Sequence, residues 1–213
     1  MMQNQVITIT NRHWAAARLI LDRVINERTP KFIMTVTGEV GTGKSTVSYL
    51  LAKLLKDEGI RTKIMDLDNY YKVQPLDRKE WRLKNGLEHV GPEEYDWNKI
   101  YQNIEDFKQS KKATMPLVDL LTDYVDKLTT DFSGVDVLII KGLYSIKCKE
   151  SKIKVFIELS YKEALEQNLY MTNETTDDFR LQVMQKEQEM VKLLKKDANF
   201  FIDFDNSNEI FHL

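Results

Sequence analysis

The sequence predicts an α/β fold in which a parallel sheet is covered by helices on both faces. Three observations carry this expectation. Residues 32–37 (Phe-Ile-Met-Thr-Val-Thr) and 135–140 (Val-Asp-Val-Leu-Ile-Ile) are short apolar, β-branched runs, the pattern of strands buried on both faces. A glycine-rich turn follows the first run at once and opens an amphipathic helix. Strand-like and helix-like segments then alternate, which a parallel sheet with crossover helices requires.

Taken in order, the first β-like segment is residues 6–9 (Val-Ile-Thr-Ile). Asn11 is placed to cap a helix whose Trp14, Ala17, Leu21, Val24 and Ile25 share one face, ending before Thr29-Pro30. The strand at 32–37 follows. A helix then carries Val47, Leu50, Leu51, Leu54 and Leu55 on one stripe and closes at Gly59. Residues 62–67 form the next strand, which completes a right-handed crossover unit. Pro92 suits the first position of a helix continued by Trp97, Ile100, Tyr101, Ile104 and Phe107, with Lys108, Lys111 and Lys112 at its negative end. Strands at 135–140, 153–159 and 200–204 and helices at 161–171 and 176–196 complete the pattern.

The chain has 213 residues, against a prior of about 150 per domain. It is expected to be one domain, 1–213, with a short strand/helix extension over about 1–30. With 31 Lys plus Arg against 33 Asp plus Glu the formal charge is -2, so no basic field gathers nucleic acid. No apolar run reaches the roughly 18–20 residues of a membrane helix, so neither nucleic acid nor membrane is an expected partner. Cys148 is the single cysteine, which excludes an intrachain disulfide and a cysteine-based zinc cluster. Lys147 and Lys149 beside it would activate the thiol, but an ordinary free cysteine of a reducing compartment is the expectation. Residues 1–10 lack the charged and apolar regions of a secretion signal, and a cytoplasmic location is expected. Trp14, Trp81 and Trp97 are candidates either for a homo-oligomer interface or for the core.

Gly38-Glu39-Val40-Gly41-Thr42-Gly43-Lys44-Ser45 matches G-x-x-x-x-G-K-[ST] at every fixed position, and Thr46 follows. The glycines let the backbone curl so that successive N–H groups point inward, and the helix that begins near Lys44 aims its positive end at the same point. A buried-type strand before the loop and an amphipathic helix after it meet the context test for a P-loop. Residues 38–46 are the expected nucleoside triphosphate site. Lys44 should reach the outer phosphates and the Ser45 hydroxyl should ligate Mg²⁺.

Beyond the loop, Asp68-Asn69-Tyr70-Tyr71 matches the D-x-[FY]-[YH] step of the uridine kinase and phosphoribulokinase family, which the chain resembles from about residue 32 to 205. The resemblance implies a P-loop NTPase fold with a small substrate hairpin and a helical lid, and ATP- and Mg²⁺-dependent transfer to a hydroxyl of a nucleoside, sugar or vitamin-like acceptor. A carboxylate at the end of the strand beside the phosphate loop faces the γ-phosphate, so Asp68 is the expected base and a holder of the metal's water shell. Asp66 competes for that role or caps a neighbouring backbone group. Tyr70 and Tyr71 either flank the acceptor or pack, and Tyr71 is the substrate candidate. Leu87-Glu88-His89 with Pro92 resembles the family segment that grips substrate hydroxyls, which points to Glu88. Met115-Pro116-Leu117-Val118-Asp119 resembles the step that opens the substrate hairpin, which points to Asp119. Val118 stands where relatives stack a pyrimidine on an aromatic ring, and this argues against uracil or cytosine as acceptor.

Two departures stand out. After the strand at 135–140, relatives carry Glu-Gly, whereas this chain has Lys141-Gly142. An ammonium beside Mg²⁺ is repelled unless Lys141 turns to a phosphate oxygen or pairs with Asp66 or Asp68. Between Ser160 and Asn199, where relatives place several phosphoryl-clamping arginines, Arg180 is the single arginine and so the clamp candidate. These departures keep a second function class open, a nucleotide-binding regulator or scaffold without transfer chemistry. A guanine-reading N-K-x-D motif is absent, which argues against a signalling GTPase.

Overall fold

The computed structural model describes residues 9–119, 122, 124–166 and 177–204. Of the β-like segment at 6–9, residues 6–8 lie outside the described residues, as does part of the helix expected over 161–171. The elements run α1 (Asn11–Glu27), β1 (Phe32–Gly38), α2 (Lys44–Asp57), β2 (Thr62–Asp66), α3 (Pro75–Asn85), α4 (Trp97–Lys108), β3 (Lys112–Val118), β4 (Val125–Asp131), β5 (Val137–Lys141), β6 (Ile153–Glu158), α5 (Tyr161–Glu166), α6 (Asp178–Leu194) and β7 (Phe200–Asp203).

Five strands form one sheet in the order β2-β5-β1-β6-β7, all paired in parallel. Every residue of β1 is buried, as its unbroken apolar and threonine run requires of a central strand. Alternation along β1 feeds two cores. Phe32, Met34 and Val36 pack with Ala17, Ile20, Val24, Leu50, Leu51 and Leu55 of α1 and α2. Ile33 faces the opposite way and packs with Leu138, Ile140 and Phe156 against Ile100, Ile104 and Phe107 of α4. Each such side chain contributes about 1.5–3 kcal/mol relative to exposure. β3 and β4 form a separate antiparallel hairpin, which the sheet order leaves outside the parallel ladder.

Helix ends follow local chemistry. α2 stops in a Schellman turn, with Gly59 at φ 73, Gly59 N–H on Lys56 O (2.9 Å) and Ile60 N–H on Leu55 O (2.8 Å). α1 is capped by Thr10 rather than Asn11, and its inner face runs through Ala16, Ala17, Ile20 and Val24. Ile25, expected on that face, is 40% exposed. The helix expected from Pro92 begins at Trp97, because the Asp96 carboxylate accepts the Lys99 N–H at 3.0 Å while residues 92–94 make one 3-10 turn. α3 was silent in the apolar pattern: its buried residue is Arg82, and Leu76 and Leu83 are exposed. The three tryptophans are each half-buried, and Trp14 packs on the first core with Lys53 over its ring. No helix among the described residues is long and apolar enough to cross a membrane.

Candidate active site

β1 delivers the glycine-rich loop to the carboxyl edge of the sheet, and α2 carries it away. Gly43 sits at φ 84, a left-handed conformation that favours glycine, and caps α2 without a side chain. No acid lies in the first turn of α2, so its amides and positive dipole end meet no fixed negative partner there. The loop is braced from inside, since Thr42 Oγ1 (2.9 Å) and Lys44 Nζ (2.6 Å) both donate to the Glu39 carbonyl. Burial pulls the Lys44 ammonium down to about 8, opposed by the attraction of Asp68 and assisted by the repulsion of Lys141. Glu39 turns its own carboxylate away from the loop. Its Oε2 accepts from the Tyr161 N–H at the start of α5 (2.8 Å) and from Gln188 Nε2 on α6 (2.8 Å). Val40, Gly41 and Gly43 are half-buried, Thr42 and Thr46 are buried, and Ser45 is exposed.

The strand beside β5 separates the two aspartates. Asp66, in register with Lys141, receives its Nζ at 2.5 Å and caps the turn at residues 67–70 by accepting the Asp68 N–H at 3.1 Å. Burial and the neighbouring Asp68 raise the Asp66 carboxyl, and Lys141 opposes them. Of the three destinations open to Lys141 in the sequence, the structure takes Asp66. Asp68 keeps an exposed carboxylate whose field reaches Lys44 and Tyr71. Ser45 and Asp68 thus present a hydroxyl and a carboxylate, hard oxygen donors of the kind Mg²⁺ takes alongside substrate oxygens and water, and they fit that ion. No cluster of three or more histidine, cysteine or acidic side chains capable of holding a metal by themselves occurs among the described residues.

The remaining expected residues divide between cleft and scaffold. Tyr70 packs, donating to Asn103 Oδ1 at 2.9 Å, while Asn103 Nδ2 donates to Thr114 O of the hairpin at 3.2 Å. Tyr71 is half-buried, stacked on Tyr95 at 4.2 Å, accepts the Tyr95 hydroxyl at 2.8 Å and lies 3.6 Å beneath the Arg78 guanidinium. Asp119 closes the hairpin: its N–H donates to Tyr124 O (2.9 Å) and its Oδ2 accepts from the Thr122 hydroxyl (2.9 Å). Glu88 and His89 are exposed on a 3-10 turn, and His89 meets Trp81 edge-on at 6.3 Å.

Sequence reasoning missed two groups. Asn69 Oδ1 accepts the Val118 N–H at 3.0 Å and docks the hairpin on the turn that carries Asp68. Arg82 lies in a buried cluster, forked onto Glu94 (2.7 and 2.9 Å) and reaching Glu187 of α6 at 3.2 Å. Arg180 approaches the other oxygen of Glu187 at 3.6 Å. The clamp candidate therefore faces an acid of its own helix in this conformation, and the field of Glu187 also acts on Lys44. No local pattern in the sequence pairs Arg82 with Glu94 and Glu187, which lie 12 and 105 residues away along the chain.

The thiol expectation is settled by burial, which pushes Cys148 up to about 12 and leaves it an inert free cysteine.

Comparison with known proteins places this geometry. The sequence profile of the phosphoribulokinase / uridine kinase family matches residues 33–200. Uridine kinase of Ureaplasma parvum serovar 3 is 28% identical over 200 residues, covering 87% of this chain and 94% of that protein. The solved structure of a possible uridine kinase from Bacillus stearothermophilus superposes with a TM-score of 0.66 at 19% identity, over 89% of this chain and 98% of that one. Phosphoribulokinase from Rhodobacter spheroides superposes with a TM-score of 0.58 at 14% identity, over 81% of this chain and 69% of that one. At those identities the two structures share the fold.

Proposed function

Because the chain belongs to the phosphoribulokinase / uridine kinase family, we propose that it is an ATP- and Mg²⁺-dependent kinase that phosphorylates a hydroxyl of a small-molecule acceptor. One observation carries the reading: of the two aspartates at the end of β2, Asp66 is engaged by Lys141 while Asp68 stands exposed within the field of Lys44.

The loop amides of residues 38–46 and the positive end of α2 hold the phosphates. Lys44 exchanges the Glu39 carbonyl for a phosphate oxygen. Asp68 takes the proton of the acceptor hydroxyl as its oxygen bonds to the γ-phosphorus and the bond to the bridging oxygen of ADP breaks. Ser45 and Asp68 would hold Mg²⁺, which would supply positive charge against the phosphate oxygens. Tyr71 lines the acceptor cleft from the floor, with Glu88 and Asp119 at its margins. Arg180 reaches the transferring group when α6 closes and its contact with Glu187 is exchanged. The aliphatic Val118 on the hairpin favours a sugar or vitamin-like acceptor over a pyrimidine nucleoside.

The test is Asp68→Asn. It is expected to fold as the wild type does, to keep measurable ATP binding and to lose acceptor-dependent ADP formation by about 10²-fold or more. Turnover at the wild-type rate removes Asp68 from the role of base.

A second reading, a nucleotide-binding regulator without transfer, is favoured by the Lys141–Asp66 pair, which withdraws one carboxylate and sets a second cation beside Lys44. ATP binding without ADP formation for any acceptor supports it, and so does gain of activity in Lys141→Glu. Efficient acceptor-dependent ADP formation excludes it.

A further inference from the structure

Two buried polar atoms beside the carboxyl edge of the sheet make no hydrogen bond among the described residues: Arg78 Nε on α3 and the Tyr144 hydroxyl after β5. Buried polar groups in folded proteins are almost always paired, and one that is not requires an explanation. Tyr144 is 0% exposed. Left dry, its hydroxyl carries a desolvation cost that a phenylalanine would not.

Arg82, one turn further along α3, shows what the open edge of Arg78 is shaped for. It sets the side of its guanidinium on a carboxylate, Nε on Glu94 Oε1 at 2.7 Å and Nη2 on Glu94 Oε2 at 2.9 Å. Arg78 Nη2 donates to Val73 O at 3.3 Å and its guanidinium lies 3.6 Å from the centre of the Tyr71 ring, while no acid among the described residues fills the Nε side. A planar carboxylate is the group such an edge takes in two parallel hydrogen bonds.

Both atoms border the place where the acceptor must sit. Tyr71 ends the turn that carries Asp68, and its hydroxyl lies in the fields of Asp68, Arg78 and Arg82. Tyr95 joins the two atoms to one another, since it stacks on Tyr71 at 4.2 Å and meets Tyr144 edge-on at 5.6 Å. The charge available also limits the ligand. Arg82 is committed to Glu94 and Glu187, Arg180 faces Glu187, and Lys141 holds Asp66. One open guanidinium edge balances a single negative charge, whereas a phosphate monoester carries about −1.5 to −2.

We propose that the acceptor is a small hydroxy acid: Arg78 holds its carboxylate on the Nε edge, Tyr144 Oη bonds an oxygen of the same molecule, and the hydroxyl to be phosphorylated is left to Asp68. The inference rests on the transfer function proposed above and names the acceptor class for that same site.

The test is calorimetric titration of the full chain, saturated with Mg²⁺-ADP, with D-glycerate and D-gluconate, with their uncharged counterparts glycerol and sorbitol, and with a pentose phosphate and uridine, followed by ADP release from Mg²⁺-ATP with the same compounds. A hydroxy acid is expected to bind about tenfold or more tightly than its uncharged counterpart, as one charge-assisted hydrogen bond implies. Arg78→Met is expected to raise KM for that acid about tenfold or more while kcat stays within about threefold, and Arg78→Lys to recover part of the loss. Tyr144→Phe is expected to weaken the acid about fivefold, the worth of one hydrogen bond of about 1 kcal/mol, while the melting temperature holds or rises because an unpaired hydroxyl is removed. That variant keeps the test decisive if the Arg78 variants do not fold. Equal binding of acid and alcohol, no binding of either acid, tighter binding of the pentose phosphate or uridine, or an acid preference that survives Arg78→Met overturns the inference. ADP formation with neutral acceptors alone also overturns it and leaves the kinase function standing. Acid binding that depends on Arg78 without ADP formation supports the acid site and overturns the kinase function.

Discussion

Replacing Arg82 by methionine removes the cation that fastens α6 to the segment ahead of α4. The side chains of Arg82, Glu94 and Glu187 expose 6%, 5% and 4% of their surface, so all three charges depend on one another rather than on water. Without the guanidinium, Glu94 keeps the Gly91 N–H at 3.1 Å and Glu187 keeps Arg180 at 3.6 Å. One hydrogen bond and one long contact do not compensate two desolvated carboxylates, and breaking a buried pair by removing one partner costs about 3–5 kcal/mol. At about 2–4 °C per kcal/mol for a chain of this size, the melting temperature should fall by roughly 6–20 °C. The triple variant Arg82→Met, Glu94→Gln, Glu187→Gln removes the stranded charges and should recover more than half of the loss, because a neutral replacement of a whole buried cluster is often tolerated. Urea unfolding followed by tryptophan fluorescence measures both, with Trp81 next to the substituted position. A single variant within about 1 kcal/mol of wild type, or a triple variant no better than the single, refutes the premise that the cluster is dry and interdependent.

Removing Lys141 takes a repelling charge away from Lys44, so Lys141→Met should raise the Lys44 titration above its value of about 8, read by NMR of the lysine Nζ; an unchanged titration contradicts the shared field. Burial raises Cys148 from 9.0 to about 12, so the folded protein should resist iodoacetamide at pH 9 and react once unfolded. The sign for stability follows: the folded state holds this proton more tightly, so the contribution of Cys148 is complete below pH 9 and is lost as pH rises toward about 12. Asn69→Ala removes the acceptor for the Val118 N–H, and amide exchange there should quicken about fivefold, as loss of about 1 kcal/mol implies; protection equal to wild type shows that the hairpin is docked by other contacts.

The parts of the fold that sequence made legible are those in which one physical demand dominates. β1 must bury both faces, so its composition has no polar alternation to confuse it, and the loop after it needs glycines and a lysine at fixed spacing. α3 was hidden for the opposite reason: its inward position is occupied by Arg82, whose burial is made possible by Glu94 and Glu187 from distant segments, and no local pattern announces a distant counter-charge. The start of α4 was misplaced because proline suits a helix start and a 3-10 turn equally, and the decision lay with the Asp96 side chain. Among site residues, Asp66 and Asp68 stand two apart at a strand end, where the sequence favours Asp68 by the Tyr70-Tyr71 pair that follows it; the register that sets Lys141 opposite Asp66 adds the physical separation. Lys141 itself was legible as a departure, but its partner was not, because strand order is a tertiary fact.

Phosphoryl transfer by this chain is read out by ADP release with Mg²⁺-ATP over pooled sugars, nucleosides and vitamin precursors, with Lys44→Ala as the blank. A kinase with this site forms ADP in dependence on one acceptor class, favours sugar or vitamin-like pools over pyrimidine nucleosides, and loses the activity in the blank. Tight ATP binding with no acceptor-dependent ADP in any pool contradicts it and assigns the chain to nucleotide-dependent regulation.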